Sequence, residues 1–196
     1  MAPALIGPAA FFGASIVGAR KVRGYRHRDE PMSALAAKGC ESAPMMIGGF
    51  LTLGASTIML ARAVRGAALP RPVVAMLEVS GAAIVAAGVG RQSDRSCPVR
   101  FLGDEVTLSD DVHLFSSMVV FASWLAMPLL TAAFGRRLRP VDRRRSLALG
   151  VTAVAGWTWG SVLIRGDSER WGGVAQRVTV ASALVWYPVA AIAATR

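Results

Sequence analysis

Charged, histidine and cysteine residues are all scarce in this sequence. Only 17% of its 196 residues are Asp, Glu, Lys or Arg, whereas soluble domains carry roughly 25%. Hydrophobic residues make up 54% of the chain, and the mean hydropathy is +0.47. The shortage of charge excludes an ordinary soluble domain, and the composition indicates an integral membrane protein.

The two histidines and two cysteines exclude most metal and haem sites. A haem between membrane helices needs histidines inside the apolar runs, and neither His27 nor His113 lies well inside one. Cys40 and Cys97 form neither a CxxC motif nor a Cys/His ligand pattern. We therefore predict no cofactor and no metal.

Cys40 and Cys97 fall in two loops on the same predicted side of the membrane. In an oxidising compartment they could form a disulfide that joins these loops. Two free thiols in polar loops are the alternative, and sequence spacing does not decide between them.

The formal net charge of +10 raises the question of a nucleic-acid partner. However, the arginines cluster in short loops between apolar runs, and the sequence lacks a basic groove with interleaved aromatic residues. This pattern is typical of membrane topology and of attraction to anionic lipid head groups. We therefore expect membrane lipids, and no nucleic acid, as partners.

Continuous apolar runs dominate the chain and do not alternate with period two, so they predict helices rather than barrel strands. The predicted fold is an all-α bundle of six transmembrane helices, forming a single domain over residues 1–196. The predicted spans are 3–19, 44–64, 71–90, 112–134, 146–164 and 174–194.

The loop "GRRLRPVDRRRS" holds six arginines and one aspartate, which predicts a cytoplasmic position. With six crossings, both termini also face the cytoplasm, and the expected location is the plasma membrane. The basic segment "RKVRGYRHR" then falls on the outer side, contrary to the positive-inside rule. The two predicted cytoplasmic loops together carry more positive charge than this segment, so we keep the orientation.

The stretch "GDEVTLSDDVHLFSS" concentrates polar residues before the fourth span. Thr107 to Asp110 resembles a capping box, which predicts a helix start there. On that helix Asp110, His113 and Ser117 share one face, so an acid that orients a histidine, which in turn activates a serine for hydrolysis, is one interpretation. A polar packing stripe is the alternative. Asp110 and His113 supply only two metal ligands, which is too few.

Two further polar features lie at or inside the spans. Arg177, in "GGVAQRV", is expected to pair with an acid of "LSDD", with Gln176 bonding the backbone or His113; snorkelling of Arg177 is the alternative. Glu78 lies inside the third span and is a functional candidate by default. The favoured interpretation is a neutral side chain bonded to a neighbouring helix or to Ser80.

Three stretches resemble a bacterial membrane family known as domain of unknown function 998. They are "RGYRHRDEPMSALAAKGCESAPMMIGGFLTLGAS", "SDRSCPVRFLGDEVTLSDDVHLFSS" and "GGVAQRVTVASALVWY". The resemblance implies six helices and an outer polar cluster. It marks as family-typical Ser33, Asp94, His113, Gln176 and Arg177. The chain departs from the family at residues 91–93, where Arg-Gln-Ser replaces the usual Phe-Pro, and the family has no established activity.

Two functions fit these features. The first is a non-catalytic membrane protein that binds envelope lipid or serves as an accessory subunit of a larger membrane complex. The second is a membrane-embedded hydrolase acting on a lipid or isoprenoid substrate at the outer leaflet, so whether the chain is an enzyme stays open. In both, the site is the candidate outer cluster, comprising Ser33, Asp94, Asp110, His113, Ser117, Gln176 and Arg177.

Overall fold

The computed structural model describes residues 1–93, 106–165 and 171–194, and all regular structure in this part of the chain is helical. A short 3-10 helix, Met32–Ala36, lies between the first two long helices. The long helices are α1 Ala2–Lys21, α2 Ala43–Ala63, α3 Arg71–Val89, α4 Leu108–Phe134, α5 Pro140–Arg165 and α6 Gly172–Ala194. The predicted all-α class is confirmed.

Within the described residues, α1 to α4 are long and apolar enough to cross a membrane. The six helices coincide with the six predicted runs, although α4 and α5 begin several residues earlier than predicted. The α4 capping box explains its early start: Thr107 accepts from the Asp110 backbone N–H, and the Asp110 carboxylate accepts from the Thr107 backbone N–H. The predicted capping box is confirmed.

Glycines allow neighbouring helices to approach until their backbones touch. A Cβ atom placed on Gly54 of α2 would lie 2.7 Å from the Gly81 carbonyl oxygen of α3, and one on Gly81 would lie 2.9 Å from the Gly54 oxygen. On the α1 side of α2, a Cβ on Gly49 would lie 3.0 Å from Ala14 Cβ. Small residues are the usual means of close packing between membrane helices.

The helices pack in chain order, each against the next, and α6 also contacts α1 and α4. The common core consists of fully buried apolar side chains such as Leu53, Leu77, Met127 and Leu184. Other large apolar side chains face outward, including Met59, Phe115 and Val151, which are all at least half exposed. An apolar outer surface around an apolar core is the arrangement expected of a membrane bundle.

A fully buried phenol joins three helices in the middle of this core. The Tyr187 Oη of α6 accepts a hydrogen bond from Trp124 Nε1 of α4 at 3.0 Å. It also lies 3.2 Å from the Thr57 hydroxyl of α2, whose single proton is directed at the Leu53 carbonyl at 2.8 Å. Buried polar groups need such partners, because a buried donor or acceptor without a hydrogen bond lowers the stability of the fold.

We expect Tyr187→Phe to lower the free energy of unfolding by about 1–2 kcal/mol, because the Trp124 indole N–H then loses its acceptor. The measurement is equilibrium unfolding in a mild detergent. Thr152→Val is the control, since the Thr152 hydroxyl is exposed and bonds only to the Ala148 carbonyl within its own helix. Equal stability of Tyr187→Phe and wild type would contradict the role of the phenol.

Candidate functional site

The conspicuous polar residues gather at one end of the bundle, where α1 and α3 end and where α4 and α6 begin. This end is called the clamp end. Residues 22–31, which follow α1, form the α1–α2 segment and lie against the start of α6, where the Val174 N–H donates to the Arg28 carbonyl. Nearby, the Lys38 N–H donates to the Gln92 carbonyl after α3.

His113 is a buried residue of α4 that binds the end of α3. Its Nδ1 lies 2.8 Å from the Ala87 oxygen and 2.8 Å from the Gly90 oxygen. Because a carbonyl oxygen only accepts, Nδ1 carries the proton and donates. The last carbonyls of a helix have no partner within it, and His113 supplies one from the neighbouring helix.

Asp110 is occupied by the turn that leads into α4. Its carboxylate accepts from the Ser93 N–H at 2.6 Å, the Ser93 hydroxyl at 2.7 Å and the Thr107 hydroxyl at 2.6 Å. This carboxylate therefore joins the residues after α3 to the start of α4. It is an acceptor in a helix cap.

The Ser–His–Asp arrangement considered from the sequence is wrong, because the partners differ from those it needs. An orienting aspartate would have to accept from the His113 Nδ1 proton, and that proton is directed at the two α3 carbonyls. Asp110 accepts from Ser93 and Thr107 instead. Sharing a helix face does not bring the two groups together.

Arg177, one turn into α6, binds the α1–α2 segment through a fork of hydrogen bonds. One terminal nitrogen donates to the carbonyl oxygens of His27, Glu30 and Gly173. The other donates to Tyr25 Oη at 2.6 Å, and the guanidinium carbon lies 5.8 Å from the centre of the Tyr25 ring. The planar guanidinium suits such a set of acceptors.

The expected pairing of Arg177 with an acid of "LSDD" is therefore wrong. Carbonyl groups of the α1–α2 segment satisfy the guanidinium, and Asp110 is already bonded in its cap. Gln176 was expected to bond the backbone or His113, and the backbone alternative is confirmed: its Oε1 accepts from the Met32 N–H at 2.7 Å. Both side chains of the Gln-Arg pair thus hold the chain between α1 and α2.

Gly173 explains why the segment can lie so close to α6. A Cβ atom on Gly173 would lie 2.6 Å from the His27 carbonyl oxygen, too close for any other residue type without a shift. Gly173 and Arg177 of the "GGVAQRV" stretch thus contribute to the same contact, between the α1–α2 segment and α6.

Three members of the candidate outer cluster meet at an interior cavity of about 40 Å³. Ser33, Ser117 and Gln176 form its polar edge, and the rest of the lining is apolar. The apolar lining comprises Phe11, Met32, Phe50, Leu53, Ile84, Ala87, Val120, Phe121, Trp124 and Val180. His113 is not a lining residue, but its ring packs edge-on against Phe50, which is one, with the ring centroids 6.3 Å apart.

Two of the predicted positions cannot be placed. Asp94 and Cys97 lie outside the described residues, so the choice between a Cys40–Cys97 disulfide and two free thiols is not tested. The Cys40 thiol lies 3.5 Å from the Ala34 carbonyl oxygen, as a weak donor. Over the described part of the chain, no group of three or more His, Cys, Asp or Glu is placed to hold a metal ion.

Glu78 faces the opposite end of the bundle and forms an ion pair with Arg65, which follows α2. Its side chain is 37% exposed, so it is not an isolated carboxylate within the apolar core. Ser80, expected as one partner, instead donates to the Leu77 carbonyl. The favoured interpretation named a neighbouring helix or Ser80 as the partner of Glu78. It is wrong on this point, because the carboxylate pairs with Arg65, which follows α2.

The pKa shifts at the clamp end favour the charged form of Asp29 and the neutral form of His27. The hydrogen bond from Arg28 lowers the pKa of the Asp29 carboxyl, which also accepts from the Trp171 backbone N–H at 3.3 Å. Partial burial, and then the positive charge of Arg177, lower the pKa of the His27 imidazole. Both groups belong to the contact between the α1–α2 segment and the start of α6.

Sequence reasoning missed Tyr25 and Ser93, which turn out to be the partners of Arg177 and Asp110. It also missed the bond between Trp124 and Tyr187. A signal existed in each case, since every one of these residues can donate a hydrogen bond and lies within or beside an apolar run. The sequence does not say which helices are neighbours, so the partners could not be paired.

The fold and this cluster define a helical membrane protein whose polar residues join helix ends and loops. The chain matches the family described as protein of unknown function (DUF998) over residues 5–193. It belongs to that family, and the resemblance seen in the motifs is confirmed over nearly the whole chain. Neither the curated proteins nor the solved structures gave a match.

We expect Arg177→Lys to release the α1–α2 segment, because an ammonium group cannot reach the carbonyls and the phenol together. The measurement is limited trypsin digestion, with cleavage between residues 20 and 28 expected to be at least about fivefold faster than in wild type. The substitution leaves the number of trypsin sites unchanged. Arg144→Lys, on an exposed residue of α5, is the matched control, and equal cleavage in both variants would contradict the fork.

Docking of the α1–α2 segment should also depend on His27. Its pKa is lowered from 6.5 in the docked segment, so the undocked segment binds the proton more readily and docking weakens as the pH falls below that value. Trypsin cleavage of the segment, measured relative to a free peptide of the same sequence at each pH, should accelerate between about pH 7.5 and pH 5.5. In His27→Gln the acceleration should vanish, and its persistence would exclude His27 as the titrating group.

Proposed function

We propose that this chain is a non-catalytic, lipid-binding protein of the plasma membrane with six crossings and both termini in the cytoplasm. The observation that carries the proposal is the cavity of about 40 Å³ edged by Ser33, Ser117 and Gln176. Its size suits the end of one acyl or isoprenoid chain. A whole lipid with its polar head group would not fit.

The chemistry of the lining favours binding over reaction. The polar edge consists of two hydroxyls and one amide, and the amide oxygen already accepts from the Met32 N–H. Hydrolysis at Ser117 would need a base that takes the hydroxyl proton. In a Ser–His pair the base is the histidine Nε2, and among the described residues no hydrogen bond joins His113 to Ser117: the partners of His113 are the Ala87 and Gly90 carbonyls. The hydrolase alternative therefore lacks support from the residues that would perform it.

The positions of the loops support the proposed topology. The loop after α2 and the loop after α4 lie side by side, since Arg65, Arg71, Arg136 and Arg137 line one groove. The α1–α2 segment and the start of α6 lie together at the clamp end. Helices that cross a membrane in alternating directions place every second loop at the same end, which agrees with these two groups. The positive-inside rule assigns the arginine-rich end to the cytoplasm.

Lipid binding is tested with ligands that carry chains but no charge. We expect a long-chain isoprenoid alcohol or a diacylglycerol to raise the unfolding temperature of the purified protein in mild detergent by about 2–4 °C. Ser117→Val should abolish the rise, because the larger side chain fills the cavity. It should leave the unfolding temperature without ligand close to that of wild type.

Met118→Leu is the control, because Met118 is an exposed neighbour in the same helix. It should respond to the ligands like wild type. If wild type does not respond to either ligand, or if Ser117→Val responds as strongly as wild type, the cavity is not a lipid-chain site.

A further inference from the structure

A second and much larger concavity lies at the other end of the bundle. It is a groove of about 790 Å³ between the loop that joins α2 to α3, the first turns of α3 and the end of α4. This end is called the basic end. The groove shares no lining residue with the interior cavity.

The charges on the groove are strongly unbalanced. Four arginines and a single carboxylate line it, and that carboxylate, Glu78, is bound by Arg65. In the part of the chain that the structure describes, no acid pairs with Arg71, Arg136 or Arg137. Three guanidinium groups around one concavity favour an anionic ligand, and phosphate is the anion whose geometry the guanidinium matches best.

The remaining lining is apolar and lies at the ends of membrane helices. Val74 and Ala75 of α3 line the groove together with Phe134, the last residue of α4, whose side chain is 62% exposed. Arg71 is the first residue of α3, and Arg136 follows α4 by two positions. Arginines that flank the ends of apolar helices lie at the depth of lipid head groups.

We propose that this groove binds the phosphate head group of an anionic membrane lipid. Arg71, Arg136 and Arg137 bind the phosphate, and the first part of an acyl chain lies along Val74 and Phe134. The apolar wall favours a lipid over free phosphate, since inorganic phosphate would leave that wall uncovered. The Arg65–Glu78 pair sets the affinity, because Glu78 repels the head group and holds one of the four arginines away from it. This site is independent of the cavity at the clamp end.

The test is a titration of the full chain in a neutral detergent, followed by native mass spectrometry. The probes are dioleoyl phosphatidylglycerol and dioleoyl phosphatidylcholine, which have the same chains and different head-group charge. We expect the first to bind at least about tenfold more tightly than the second. Equal binding of the two lipids would overturn the proposal, and displacement of phosphatidylglycerol by millimolar inorganic phosphate would assign the groove to free phosphate instead.

Variants of opposite sign make the test independent of folding defects. Replacing Arg136 and Arg137 by Gln should weaken phosphatidylglycerol binding about tenfold, whereas Glu78→Gln should strengthen it at least about threefold, because it removes the repulsion and releases Arg65. Arg144→Gln is the matched control from the same basic stretch, outside the groove. If Arg144→Gln weakens binding as much as the double variant, or if Glu78→Gln does not strengthen it, attraction comes from the general surface charge and the groove is not a site.

Discussion

Carbonyl groups at helix ends and in tight segments need donors from within the chain wherever the bilayer excludes water, and much of the clamp end follows from this requirement. His113 supplies a donor to the end of α3, Gln176 accepts from the 3-10 helix, and Arg177 donates to three carbonyls at once. Gln176 and Arg177 add to the backbone bond between Val174 and Arg28 in holding the α1–α2 segment on α6, next to the cavity edged by Ser33 and Gln176.

The two ends of the bundle use arginine differently. At the clamp end, both terminal nitrogens of the Arg177 guanidinium bind groups of the α1–α2 segment, namely backbone oxygens, the Tyr25 phenol and His27 Nδ1. At the basic end, Arg71 and Arg137 have no acidic partner among the described residues and face a wide groove. The first arrangement joins two segments of the chain, and the second leaves guanidinium groups around a groove that we propose binds a lipid head group. Between the two ends, α2, α4 and α6 are joined by the Tyr187 phenol.

The sequence predicted the helices, their number and the cap of α4, because these depend on local patterns. It also singled out His113, Gln176 and Arg177, each of which bonds to a neighbouring segment. It predicted the wrong partners for Arg177 and Glu78, since both are bound by residues from segments whose proximity only the packing determines. The small residues that allow this packing were visible, but a glycine such as Gly81 does not specify which helix approaches it.

At the clamp end, Gln176 and Arg177 hold the α1–α2 segment and the 3-10 helix, and we propose that the cavity edged by Ser33, Ser117 and Gln176 binds a lipid chain. The most direct measurement is an experimental density map of the full chain in lipid nanodiscs. We predict His113 Nδ1 within hydrogen-bonding distance of the Ala87 and Gly90 carbonyls, with chain-like density beside Ser117 and Gln176. A map in which His113 turns to Asp110 and Ser117 beside a bound head group would contradict the claim.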